Sequence, residues 1–250
     1  MFPIRDDNPT ELVPLVTLAI IGACVTVWLS VQGGGFQEAA LRDSVCSLGA
    51  IPAELTGGGE GSFSGSPCAP GGLTWSALVT SMFLHGSWMH LIGNMWFLWI
   101  FGNNIEDSMG HLRFILFYLL CGTVAAMAHV LSEPASALPV VGASGAISAI
   151  MGAYLVLYPA ARVRTLLVLI IFITFVDLPA WLYLGYWFVL QLASSSARSG
   201  AVGGVAFMAH IGGFVAGLVL IFVFRNRRLV GAKRAHVKLS RDQIEHGGWW

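Results

Sequence analysis

Val205–Phe224 reads VAFMAHIGGFVAGLVLIFVF, twenty positions without Asp, Glu, Lys or Arg. A helix of that length rises about 30 Å, the thickness of a bilayer's hydrocarbon core. Arg225, Arg227, Arg228, Lys233 and Arg234 follow at once. An apolar run closed by basic residues marks a membrane span ending at a cytoplasmic face. The other 230 residues agree. The chain of 250 residues is 56% hydrophobic and only 10% charged, with mean hydropathy +0.75. A soluble domain carries about 25% charged residues, so an ordinary water-soluble globule is excluded. Abundant apolar and aromatic residues exclude disorder. Thirteen basic residues balance thirteen acidic ones, which leaves no basic field for nucleic acid. The composition predicts a polytopic, all-α membrane protein.

Further apolar runs are Leu12–Val31, Trp88–Ile105, Leu112–Leu131 and Ser144–Tyr158. Between the last of these and Val205 lie Leu166–Val176 and Pro179–Ala193, split by Asp177 and Pro179. The first of that pair is short and rich in Ile, Val and Thr. Either it enters as an extended or re-entrant piece while Pro179–Ala193 spans, or both cross. Charge decides for six spans with both ends inside. The cytoplasmic side then receives Arg5, Arg113, Arg162, Arg164, Arg225, Arg227, Arg228, Lys233, Arg234, Lys238 and Arg241, and the outside only Arg42 and Arg198. A seventh crossing would export the basic cluster, against the positive-inside bias.

The expected organisation is a cytoplasmic N-terminus over 1–11, a six-helix membrane domain over 12–224 and a polar, mobile basic tail over 225–250. The domain includes an outer loop over 32–87. Asp6, Asp7 and Glu11 stand where a signal peptide would be positive, so residues 12–31 read as a span. The resemblance of Ile21–Cys24 to a lipoprotein cleavage site reads as coincidence. Cys24 and Cys121 lie in apolar runs and read as packing residues. Cys46 and Cys68 share the outer loop, where they either pair in an oxidising compartment or stay free thiols.

Polar residues inside spans are costly and are functional candidates by default. They are His90 and Asn94, His129, Ser144 and Ser148, His210, and Gln191 near the end of the fifth span. Ser144 opens an apolar helix in Val141-Gly142-Ala143-Ser144-Gly145. The bland reading is an N-cap. The sharper one is a nucleophile beside unpaired amides at a positive helix end. Ala209, Gly213 and Gly217 form one small-residue stripe, and Ser144, Ser148 and Gly152 another. Facing stripes would bring the two helices into close contact, with His210 at the depth of Ser144. A histidine beside a serine is the minimum for an activated hydroxyl. His90 and Asn94, four apart, share a helix face and read as a polar clamp or as oxyanion donors. His85 would brace the outer loop.

Other chemistries lack their parts. There is no H-E-x-x-H, and the histidines have no carboxylate or thiolate at metal spacing, so neither a metal nor any other cofactor is expected. Acidic residues fall in loops or at helix ends, which removes an aspartyl mechanism and leaves a dyad rather than a triad.

Together these residues resemble the rhomboid family of intramembrane serine proteases, in its bacterial form. The likeness rests on His85-Gly-Ser-Trp-Met-His90-Leu-Ile-Gly-Asn94, Glu106-Asp-Ser-Met-Gly110, Gly142-Ala-Ser144-Gly145 and Ala209-His210-Ile-Gly-Gly213-Phe-Val-Ala-Gly217. Leu48-Gly-Ala-Ile-Pro-Ala-Glu54 in the outer loop adds to it. The resemblance implies a six-helix bundle with a Ser144–His210 dyad. It implies an oxyanion site from His90, Asn94 and the Ser144 amide, and a structural role for Glu106 and Gly110. The implied substrates are single-span or other membrane proteins, cut in or near a transmembrane helix within the lipid bilayer. The setting would be a bacterial inner membrane.

The sequence departs from the family twice. Ser148 stands where an aromatic commonly stacks on the histidine, which leaves another aromatic, or Ser148 itself, to brace His210. The Trp-Arg pair of the first outer loop is also not evident. The fifth helix reads as a lateral gate. The alternative on the same scaffold is a catalytically inactive protein that binds membrane helices. A small transporter would need paired halves, and none is seen.

Overall fold

The computed structural model describes residues 1–58, 60–71, 75–169, 172–197 and 206–234. Strand β1 (Phe2–Asp6) leads into α1 (Leu15–Ser30). The segment that follows carries α2 (Glu38–Leu48), α3 (Pro52–Leu55) and α4 (Ala77–Thr80). Helices α5 (Trp88–Phe97) and α6 (Asn103–Met109) join through one π-helical turn, Leu98–Gly102. Then come α7 (His111–Ser132), α8 (Ser144–Leu157), β2 (Arg162–Leu169), β3 (Phe172–Pro179), α9 (Ala180–Ala197), α10 (Phe207–Phe224) and α11 (Arg227–Arg234). By length and composition α7 and α10 are long and apolar enough to cross a membrane, while α1 and α8 are shorter apolar helices.

The all-α expectation needs correcting. Strands β1, β2 and β3 form an antiparallel sheet in that order. The described parts of the ambiguous segment Leu166–Val176 therefore lie in two paired antiparallel strands, with Leu166 opposite Phe175 and Leu167 opposite Thr174. Its β-branched and aromatic residues suit a pleated surface. The N-terminal residues, expected only as a cytoplasmic lead, supply the outer strand, with Phe2 opposite Leu166. They are also tied to the helices. The Asp6 carboxylate accepts from the Tyr154 hydroxyl at 2.5 Å and from Asn104 at 2.8 Å, and Trp96 donates to the Pro3 carbonyl at 2.7 Å. Burial, partly offset by the Tyr154 bond and nearby Lys233, raises the Asp6 pKa to about 6.

Pro14 gives α1 no capping side chain. Its amides are met instead by α6. The fully buried Glu106 accepts from the backbone of Val16 and Thr17 at 2.8 Å each and from the Thr17 hydroxyl at 2.6 Å. Asp107 accepts from the backbone of Glu11 and Leu12. Carboxylates at a helix N-terminus satisfy orphan amides and complement the dipole. His111 Nδ1 lies 2.6 Å from the same Glu106 carboxylate. Gly110, with φ of 81°, turns the chain between α6 and α7, a conformation that L side chains resist.

The tail is also corrected in its first part. Helix α11 buries Val230, and Lys233 bonds Asn104 and Asp107 at 2.8 and 2.9 Å. Residues 235–250, with Lys238 and Arg241, lie outside the described residues, as does Arg198.

At the opposite end the segment between α1 and α5 braces the loop before Ser144. Ala50 and Val140 exchange backbone bonds at 3.0 and 2.8 Å, Ala53 donates to Ser136 and Ser66 to Ala137. Cys46 and Cys68 are disulfide-bonded, with Cα atoms 5.3 Å apart. Cys24 and Cys121 are free and buried.

Candidate active site

Helices α8 and α10 meet at almost backbone distance. A Cβ on Gly213 would collide with the Gly145 carbonyl, and one on Gly217 would sit 2.6 Å from the Ala149 carbonyl carbon. A Cβ on Gly152 would strike the Phe214 carbonyl. The stripe expected on α10 is therefore the one used. On α8 the contact line runs through Gly145, Ala149 and Gly152, one residue beyond Ser144 and Ser148. That offset matters, because it turns the Ser144 side chain past the seam toward the imidazole.

His210 Nε2 lies 2.8 Å from Ser144 Oγ. Ser144 is the first residue of α8; the N-cap position belongs to Ala143, which offers no side-chain cap. The serine hydroxyl is thus not spent on capping. Ser148 does not reach the imidazole: its hydroxyl donates to the Ser144 carbonyl at 2.6 Å. The His210 ring is flanked by Trp187 on α9, with centroids 6.0 Å apart, and by the edge of Phe207 at 6.4 Å. His210 Nδ1 lies 2.9 Å from Gln191 Oε1, also on α9. Sequence reasoning singled out Gln191 as a polar residue in a span but gave it no partner. The signal was its spacing of four from Trp187, which puts both on one face of α9.

His90 and Asn94 converge on Gly142, two residues before Ser144. Ser87 caps α5 by accepting from the His90 amide at 3.1 Å. His90 Nδ1 accepts from the Gly86 amide at 3.3 Å, which leaves Nε2 as the ring's donor. Asn94 Nδ2 spends one hydrogen on the His90 carbonyl at 2.9 Å and has a second to give. Gly142, with φ of 123°, marks where they meet. A Cβ there would lie 2.7 Å from His90 Nε2 and 3.7 Å from Asn94 Nδ2. The absent side chain leaves a small space two residues before Ser144, bordered by both donors.

His85 stands behind His90, ring centroids 5.2 Å apart, and Gln32 holds its backbone by two hydrogen bonds. Burial and the neighbouring His90 hold its pKa down at about 3, so it is neutral at physiological pH. An open cavity of about 1220 Å³ runs from His210 and Ser144 past His90 and Gly142 to His129 and Glu133. Among the described residues no three His, Cys, Asp or Glu side chains gather to hold a metal ion.

A hydroxyl within hydrogen-bonding distance of an imidazole nitrogen that can accept its proton, with two donors beside a small space, is an arrangement capable of acyl transfer. Comparison with known proteins agrees with the bundle that carries them. The rhomboid domain model matches residues 72–227. Rhomboid-like protein 11, chloroplastic, of Arabidopsis thaliana is 31% identical over 60% of this chain and 52% of its own length. Rhomboid-like protease 5 of Toxoplasma gondii is 30% identical over 69% of this chain but 19% of its own. A putative rhomboid protease of Bacillus subtilis is 35% identical over 32% of this chain and 40% of its own. The chain thus spans about half of the first of these relatives and less of the other two. A mostly helical chain with this domain is a polytopic bundle integral to the membrane, and the protein belongs to the rhomboid family.

Proposed function

We propose that the protein is an intramembrane serine endopeptidase that cuts transmembrane segments of other membrane proteins. The observation that carries this reading is the 2.8 Å approach of His210 Nε2 to Ser144 Oγ. Ser144 attacks the scissile carbonyl as His210 takes its proton. The tetrahedral oxyanion rests on His90 Nε2–H, the free Asn94 N–H and the Ser144 amide. Collapse expels the new amine, which takes the proton back from His210. Water then attacks the acyl-enzyme, His210 again acting as base, and the released acid frees Ser144. The wide, partly polar cavity beside the dyad supports water access, which hydrolysis requires.

Six crossings are made by α1, the α5–α6 rod, α7, α8, α9 and α10. Arg5, Arg113, Arg162, Arg164 and Arg225 then share the cytoplasmic side with both ends of the chain, in a membrane of the bacterial inner type. Helix α9 serves as the lateral gate.

The test is cleavage of a reconstituted single-span substrate. Wild type should cut it, and Ser144→Ala and His210→Ala should each abolish cleavage without loss of fold, since members of one catalytic unit fail together. A Ser144→Ala variant that cuts normally refutes the mechanism. A wild type that binds the substrate helix and never cuts it points to the inactive alternative.

A further inference from the structure

We infer that Gln191 is a positioning residue of the catalytic unit, a neutral third member that fixes the tautomer and orientation of His210. The inference rests on the protease reading of Ser144 and His210 and adds a residue to it.

A neutral imidazole carries one donor and one acceptor nitrogen. For Ser144 to donate its proton, Nε2 must be the acceptor and Nδ1 must carry the hydrogen. A buried Nδ1–H without an acceptor is costly. Gln191 Oε1, at 2.9 Å, is the only hydrogen-bond partner of that nitrogen among the described residues. With the amide oxygen turned to Nδ1, the productive tautomer is the one the site stabilises. In serine triads a carboxylate does this work and also stabilises the imidazolium. An amide oxygen keeps the orienting function and offers the imidazolium a dipole instead of a charge.

The ring is held by the same helix a second time. Trp187, one turn before Gln191, tilts against the imidazole at 6.0 Å and packs on Phe214 at 5.9 Å. Ser148, where an aromatic would stack on the histidine, is bonded to the Ser144 carbonyl instead. Helix α9 therefore supplies both the stacking surface and the Nδ1 acceptor. The other titratable groups on the cavity are His90 on α5, His129 on α7 and Glu133 just beyond it, and none of them bonds Nδ1.

The experiment compares wild type, Gln191→Leu and Gln191→Glu in proteoliposomes. It reads kcat, KM, the pH dependence of kcat/KM and the rate of labelling by a small fluorophosphonate, which needs no lateral entry of a helix. Gln191→Leu should lower kcat and labelling together by about 10–100-fold, less than the ~10⁴ seen when a triad carboxylate is replaced, with KM within about twofold of wild type. Gln191→Glu, which keeps an oxygen acceptor, should recover most of that loss. The base must be neutral to act. Losing the acceptor disfavours the imidazolium, so the acid limb should move to lower pH in Gln191→Leu; a carboxylate favours it, so the limb should move to higher pH in Gln191→Glu.

A Gln191→Leu enzyme within twofold of wild type overturns the inference. Equal loss in both variants, or an acid limb unmoved in both, assigns Gln191 to packing and overturns it as well. A wild type that neither cuts nor labels above the Ser144→Ala background is the failure of the protease reading itself.

Discussion

The dyad depends on how closely α10 lies on α8, and one methyl group tests that dependence. In Gly213→Ala the new Cβ would sit 3.0 Å from the Gly145 carbonyl carbon and would overlap its oxygen. Carbon–carbon contacts are comfortable at about 3.5–4.0 Å, so the carbon alone demands about 0.5 Å of separation, and clearing the oxygen raises this to about 1 Å. Gly213 lies one turn from His210, so the imidazole moves with it. The Ser144–His210 bond of 2.8 Å would stretch past hydrogen-bonding range. A misplacement of about 1 Å at a catalytic group costs ~10²-fold in rate, and overpacking a seam costs about 1–3 kcal/mol of stability. The assay is cleavage of a single-span substrate in proteoliposomes, beside a thermal melt in detergent. Gly22→Ala is the control, since its Cβ would meet nothing within 4 Å; it should keep full activity. Full activity in Gly213→Ala would refute the claim that this backbone contact sets the dyad's geometry.

Asn94→Ala should lower kcat by about 10²–10³-fold, the usual effect of losing one oxyanion donor; an unchanged rate removes Asn94 from the site. Cys46→Ser should lose about 3 kcal/mol of stability, as expected for a disulfide closing a loop of this size, and should melt like reduced wild type; an unchanged melting temperature refutes the bridge. The raised pKa of Asp6 makes the fold favour its protonated form. Its contribution is complete below the ordinary carboxylate range and lost as pH rises through about 6. Wild-type melting temperature should carry that fall, and Asp6→Asn should remove it; identical pH profiles would contradict the assignment.

The long helices and the approach of His210 to Ser144 were legible because each leaves a local signature: long uncharged runs, small residues every four positions, a serine at a helix start. The sheet was not. Residues 166–176 carry no period that separates a strand from a short span, and the partner strand lies at the far end of the chain, where Phe2–Asp6 shows no alternation of its own. The role of Glu106 was legible only as a motif, because the amides it satisfies belong to α1, some ninety residues earlier. The contact line on α8 fell one residue from its expected place because Ala149 serves as a small residue as well as glycine does. Gln191 and Trp187 were visible as residues, but their bearing on His210 depends on how α9 packs, which no spacing along the chain reveals.

The catalytic claim is tested most directly by locating a fluorophosphonate adduct by mass spectrometry in the reconstituted protein. A single adduct on Ser144, formed in wild type and lost in His210→Ala, is the predicted result, because only an imidazole-activated hydroxyl reacts at a useful rate. Labelling at another residue, or equal labelling of Ser144 when the imidazole is gone, would contradict it.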